Sequence, residues 1–208
     1  MRTIQRRVAP ACLAKQPGQQ DWGVFIGSQC HAQIDAELRQ EQQGLCCYCE
    51  SAAAPADSHI EHLEPRKNNA ARTYDYTNLA ISCNGGRGEH CGHYKDNRHR
   101  NPTGAWSAQK FSAPHHPQTS AMLCYLPNGA ITPADLAKDK AEYLIAYLGL
   151  DCARLNERRR QHAALVVETL GDASDPAIIN WLHQEYLGPD ANGCLKPYHS
   201  LSKALLEP

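Results

Sequence analysis

The stretch Ser58-His59-Ile60-Glu61-His62-Leu63-Glu64-Pro65 sets two imidazoles and two carboxylates among apolar residues, then stops at a proline. A fully buried strand would carry aliphatic residues there, because an unpaired polar group costs free energy on burial. A solvated loop would have no use for Ile60 and Leu63. The mixture predicts a strand anchored by its apolar residues, with its imidazoles and carboxylates converging on a ligand. Histidine, with an unperturbed pKa of about 6.5, can act as a general base at physiological pH. A neighbouring carboxylate suits a hard divalent cation.

The cysteines form the second chemical set. Cys46-x-x-Cys49 is a knuckle whose thiolates can bind one metal ion, and tetrahedral zinc needs a second pair. Cys83 and Cys91 are the candidates, with seven residues between them rather than the usual two to four. Gly85, Gly86 and Gly88 make a looped-out knuckle easy in that gap. Cys47 can stand in for Cys46. Free cysteines also serve as small core hydrophobes, but a tyrosine-centred CYC and a glycine-filled loop are poor core segments. Structural zinc is the expectation. A zinc hydrolase of small molecules would need a vacant coordination position, which four cysteines do not leave.

Elements must position these groups. Gln29–Gln43 lacks Gly and Pro, places Ile34 and Leu38 at helical spacing and meets Gly44 as a stop, which predicts a helix. HIEHLEP and NLAISC are strand candidates joined by a polar loop, and a short helix follows from about Gly92 to His99. AMLCYLPNGAIT reads as a hairpin turning at Pro127-Asn128-Gly129. Thr132-Pro133 is expected to cap a helix with Leu136, Leu144 and Leu148 on one face; Asp151 and Asp175-Pro176 open two more. The fold class is α+β: residues 1–44 a leader and helix, 45–105 a small zinc-stapled centre, 106–208 a hairpin and helical region. Residues 1–28 read as irregular.

The chain has 208 residues, with 21 Lys+Arg against 22 Asp+Glu, so no global field draws it to a polyanion. Between Arg66 and Arg100, seven basic residues face Asp75, Glu89 and Asp96, a local excess able to contact phosphates. No stretch is apolar enough for a membrane span and no secretory signal opens the chain. The expectation is a cytoplasmic protein with no membrane association, in which ten cysteines do not form a disulfide framework. Arg158-Arg159-Arg160 reads as a surface helix, Trp181, Leu182 and Tyr186 as core or a partner-binding face, and His115-His116 has no assigned role.

Taken together, CxYCE, IEHLEP, YTNLAISC and HCGHYKD resemble an HNH nuclease of the ββα-metal type. More narrowly, the chain resembles the PtuB-like HNH subunit of Septu-type anti-phage systems, which also occurs as a retron effector. The likeness extends to the opening MRTI, the PNGAI hairpin and the LGLD helical tail. The resemblance implies His62 as general base, Glu61 as ligand of a catalytic Mg²⁺ or Mn²⁺, and Asn78 as holder of the loop that orients the base. The family places a further His or Asn ligand directly after the last cysteine. Here that position is Gly92, with His93 as first substitute and His90 and Asn97 behind it. His59 is either a supporting ligand or an exposed strand residue. Arg66, Lys67, Lys95 and Arg98 are candidate contacts to a DNA or RNA substrate, and the resemblance implies an ATPase partner. The rival expectation is a non-catalytic zinc-binding adaptor.

Overall fold

The computed structural model describes residues 1–15, 21–97, 99–103, 105–135, 137–171 and 175–207. A short helix, α1 (Trp22–Phe25), begins where the Asp21 carboxylate accepts from the Gly23 N–H, and it buries Trp22 and Phe25. The leader is therefore more ordered than its glycines suggest. The next helix, α2 (Gln29–Gln42), starts at Ser28, whose side chain accepts from the His31 N–H. Ile34 and Leu38, four apart, are fully buried. The helix ends as Gln43 turns left-handed.

Gln42 then fixes α2 to the central sheet. Its amide donates to the Leu45 and Ile81 carbonyls, at 2.7 and 2.8 Å, and accepts from the Ile81 N–H at 2.6 Å. That sheet is β1 (Ser58–His62) paired antiparallel with β2 (Leu79–Cys83), in a register that sets Ser58 opposite Cys83 and His62 opposite Leu79. A tight turn, α3 (Gly85–Gly88), leads into α4 (Cys91–Asp96). Gly85 is needed there: its φ is +64°, and a Cβ would collide with the His90 carbonyl.

The hairpin β3 (Leu123–Tyr125) and β4 (Ile131–Pro133) forms as expected, but Thr132-Pro133 does not cap a helix. Those residues pair with Cys124 and Leu123, and the Ala134 N–H donates to the Met122 carbonyl, so the chain stays extended. The helix α5 (Lys138–Leu148) starts later and buries Leu144 and Leu148; Leu136 lies outside the described residues. Two further helices follow, α6 (Ala153–Leu170) after Cys152, and α7 (Pro176–Leu187), capped by Asp175. A last helix, α8 (His199–Leu206), was not anticipated. The buried Glu50 carboxylate holds its start, accepting from the Ser200 N–H and hydroxyl at 2.7 and 2.6 Å while pairing with the Met1 amine at 3.0 Å.

One apolar cluster runs from Met1 to Leu155, so the three segments share a core. One sequence expectation fails against it. Arg159 is 0 % exposed, not on a surface: it donates to the Leu150 carbonyl at 2.6 Å and the Gly129 carbonyl at 3.2 Å, while Arg158 and Arg160 are exposed. The cysteines form no disulfide framework: Cys12 is bonded to Cys30, where the leader folds back on the start of α2 and brings their Cα atoms to 5.7 Å, and the other eight are free. Among the described residues no helix is long and apolar enough to cross a membrane.

Candidate functional site

Cys46 and Cys49 lie just beyond α2, Cys83 ends β2 and Cys91 starts α4. Their sulfurs all lie within 4.8 Å of one another and are buried. Cys46 and Cys91 are 3.8 Å apart, Cys49 and Cys83 3.6 Å. A tetrahedral ion with Zn–S bonds of about 2.3 Å sets sulfurs roughly 3.8 Å apart, so the donor set fits a structural metal such as zinc. Backbone N–H groups of Cys83 and Ser51 point at the Cys46 and Cys49 sulfurs, at 3.3 and 3.5 Å. His90 lies 3.1 Å from the Cys91 sulfur through Nδ1. Cys46 belongs to the cluster. Cys47 is buried beside it but outside it.

Burial opposes ionising Cys46, yet thiol hydrogen bonds from its neighbours draw its pKa well below the usual range. Burial pushes Cys91 the other way, and bonds to Cys46 and Cys49 push Cys83 up. Four thiols this close therefore ionise only in part by themselves. A dication allows all four to do so.

The second set of groups sits on β1. His59 and Glu61, two apart, face one side of the strand, with His59 Nε2 3.3 Å from Glu61 Oε2. The other oxygen, Oε1, meets Lys95 Nζ at 3.0 Å and accepts from the Tyr48 hydroxyl at 3.2 Å. Burial would raise the Glu61 pKa, but Lys95 and His59 hold it down at about 2. The carboxylate is charged, buried and oriented. Gly92 passes directly against it, and a Cβ there would overlap Oε2. Position 92, where the resemblance implied a His or Asn ligand, thus has no room for a side chain, and the imidazole beside the carboxylate comes from β1.

His62 points to the other face. Its ring meets Trp22 edge-on, with centroids 4.4 Å apart, and its Nε2 lies 3.0 Å from the Thr73 carbonyl in the β1–β2 loop. A carbonyl only accepts, so Nε2 carries the proton and Nδ1 keeps its lone pair. Burial lowers the His62 pKa to about 4, so the ring is neutral at physiological pH. Asn78, fully buried, ties the loop together: it accepts from the Glu64 N–H at 2.8 Å and donates to the Glu64 and Arg72 carbonyls, both at 3.1 Å.

The sequence-predicted residues are thus placed unevenly. Glu61, His62 and Asn78 share one end of the hairpin. His93 is exposed and stacks on His59, with centroids 4.3 Å apart, without joining a cluster of three ligand groups. His90 turns to the thiols. Asn97 accepts from the His99 N–H. Lys95 is 3 % exposed, binds Glu61, Asp96 and the His62 carbonyl, and presents nothing to a phosphate. Arg66 and Lys67 are exposed, Arg66 over the Trp22 ring; Arg98 lies outside the described residues. The sequence reading missed Trp22 and Tyr48, and the two-residue period of a strand was the signal that pairs His59 with Glu61.

No protein-family model and no curated protein matches the chain. The reading of the site therefore rests on its residues and their geometry.

Proposed function

We propose that this protein is a metal-dependent HNH endonuclease that hydrolyses phosphodiester bonds of DNA or RNA. The observation that carries this reading is the joint placement of Glu61, His62 and Asn78 at one end of a two-stranded hairpin whose exit helix is pinned by four cysteines. In it, the four cysteines would hold zinc, and Glu61 and His59, whose Oε2 and Nε2 lie 3.3 Å apart, would hold Mg²⁺ or Mn²⁺. That ion would polarise the phosphate and stabilise the leaving oxygen. His62, held by the Thr73 carbonyl, takes the proton of the attacking water on Nδ1. Asn78 keeps both ends of the loop fixed so that Thr73 stays in place. Lys95 fills one side of Glu61 and leaves the other to the metal.

The finer reading is an effector nuclease of a cytoplasmic anti-phage system, acting with an ATPase partner. A net charge of −1 supports it, since affinity for nucleic acid would then come from a partner. The half-exposed Trp181 and neighbouring Ile178 on α7 are consistent with docking. The competing reading, a zinc-binding adaptor for protein or nucleic acid, is favoured by the cysteines being the sole cluster of three or more ligand groups among the described residues. Incubation with plasmid DNA and bulk RNA, alone and with a co-encoded ATPase, separates the two. Cleavage is expected only when Mg²⁺ or Mn²⁺ is added, and His59→Ala should raise the metal concentration needed by at least about tenfold. No cleavage in any combination would favour the adaptor.

A further inference from the structure

A single helical turn such as α1 is too short to be stable by itself. The two rings it buries, Trp22 and Phe25, hold it in place. They close an aromatic group whose other members lie at the candidate site. The Trp22 ring centroid is 5.1 Å from Phe25, 5.7 Å from Tyr74 and 4.4 Å from His62, and Phe25 is 5.1 Å from Tyr74. Tyr74 directly follows Thr73, whose carbonyl holds His62 Nε2. The turn thus touches both the imidazole and the residue next to its hydrogen-bond acceptor.

One hydrogen bond does not fix an imidazole completely. The Thr73 carbonyl selects the nitrogen that carries the proton, but the tilt of the ring about that bond stays free, and with it the direction of Nδ1. A second contact, off the line of the hydrogen bond, removes that freedom. Trp22 makes it: the indole stands at 78° to the imidazole, the edge-to-face arrangement that aromatic pairs favour. The indole is itself 7 % exposed and held by its neighbours, so it is a fixed support.

Core packing alone would explain a buried indole. The surroundings of this one add to that. The side chain lines a groove of about 460 Å³ that reaches His59, and Arg66, four residues beyond His62 and exposed, lies over the ring at 5.9 Å from its centroid. Trp22 therefore stands between the two histidines of β1 and beside a candidate phosphate contact.

We infer that Trp22 is a positioning residue for His62 in phosphodiester cleavage: its indole sets the tilt of the imidazole and so aims Nδ1 at the attacking water. Trp22 touches no reacting atom and acts only through the general base. Misplacing a reacting group by about 1 Å can cost about 10²-fold in rate, which sets the scale of the effect. The inference rests on the nuclease reading, but the order of the His62 ring is measured without cleavage, so the two can fail separately.

The experiment compares wild type, Trp22→Phe, which keeps a planar ring, and Trp22→Leu, which does not, with zinc content and circular dichroism checking each fold. In long-range proton–nitrogen spectra at neutral pH, His62 of wild type and of Trp22→Phe should show the Nε2–H tautomer alone, and Trp22→Leu a mixture of both. At saturating Mg²⁺ or Mn²⁺, Trp22→Leu should lose about 10- to 100-fold in kcat, and Trp22→Phe should recover most of that loss. Wild-type kcat and a single tautomer in Trp22→Leu, or equal losses in the two variants, would overturn the inference and leave Trp22 to packing. A tautomer mixture in wild type would overturn it without any variant, so the test survives a Trp22→Leu protein that does not fold. A wild type that cleaves nothing would remove the nuclease reading alone, and the tautomer contrast would still decide whether Trp22 holds the ring.

Discussion

Replacing Cys83 with serine is expected to release zinc and unfold the protein, whereas replacing the equally buried Cys47 with alanine should leave the zinc content at one ion per chain. The contrast follows from position. Cys83 lies 3.6 Å from Cys49 and joins the end of β2 to the knuckle beyond α2. Cys47 is outside the sulfur cluster, packing beside it and hydrogen-bonding the Cys46 sulfur without being one of the four donors. Structural zinc binds with an apparent free energy of about 10–16 kcal/mol, comparable to the whole stability of a typical domain at about 5–15 kcal/mol. A sheet of two five-residue strands cannot compensate for such a loss. Metal analysis by mass spectrometry and far-ultraviolet circular dichroism check both halves. A wild type that folds without zinc, or a Cys83→Ser variant as stable as wild type, would remove the cluster from the account of folding.

The second large effect is expected at the Glu61–Lys95 pair. Both side chains are nearly inaccessible, 4 % and 0 % exposed, with the charges 3.0 Å apart. Glu61→Ala leaves the Lys95 ammonium with the half-exposed Asp96 and the His62 carbonyl. Removing one partner of a buried pair costs about 3–5 kcal/mol, and the remaining Asp96 places this variant near the lower end. Adding Lys95→Met removes the stranded charge, so the double variant should recover at least half of that loss in urea unfolding. Both variants should lack cleavage. Additive destabilisation by the two substitutions would mean that the pair does not hold this part of the structure.

Local signals carried the parts of the fold that sequence made legible. The Gly- and Pro-free run from Gln29 became α2, Asp175 caps α7 where it was expected, and the cysteine spacings with their glycines marked the cluster. The unit β1–loop–β2–α4 followed from apolar residues bounded by proline and glycine. What failed depended on distant partners. Lys95, on α4, read as a candidate nucleic-acid contact because its counter-charge, Glu61, lies on β1, far away in sequence. Arg159 was hidden among three arginines; the Gly129 and Leu150 carbonyls that accept from it belong to the hairpin turn and the chain just beyond α5. Trp22 sat in a glycine-containing leader, and its contact with His62 depends on how that leader folds back. The Pro133 helix start failed because strand pairing outcompeted a local capping signal.

The central measurement compares nucleic-acid cleavage by wild type and by His62→Ala, with zinc content and circular dichroism establishing that both are folded. Loss of the general base should lower the rate by about 10²–10⁴ at saturating Mg²⁺ or Mn²⁺. Equal rates for the two proteins would contradict the assignment of His62 and with it the proposed mechanism.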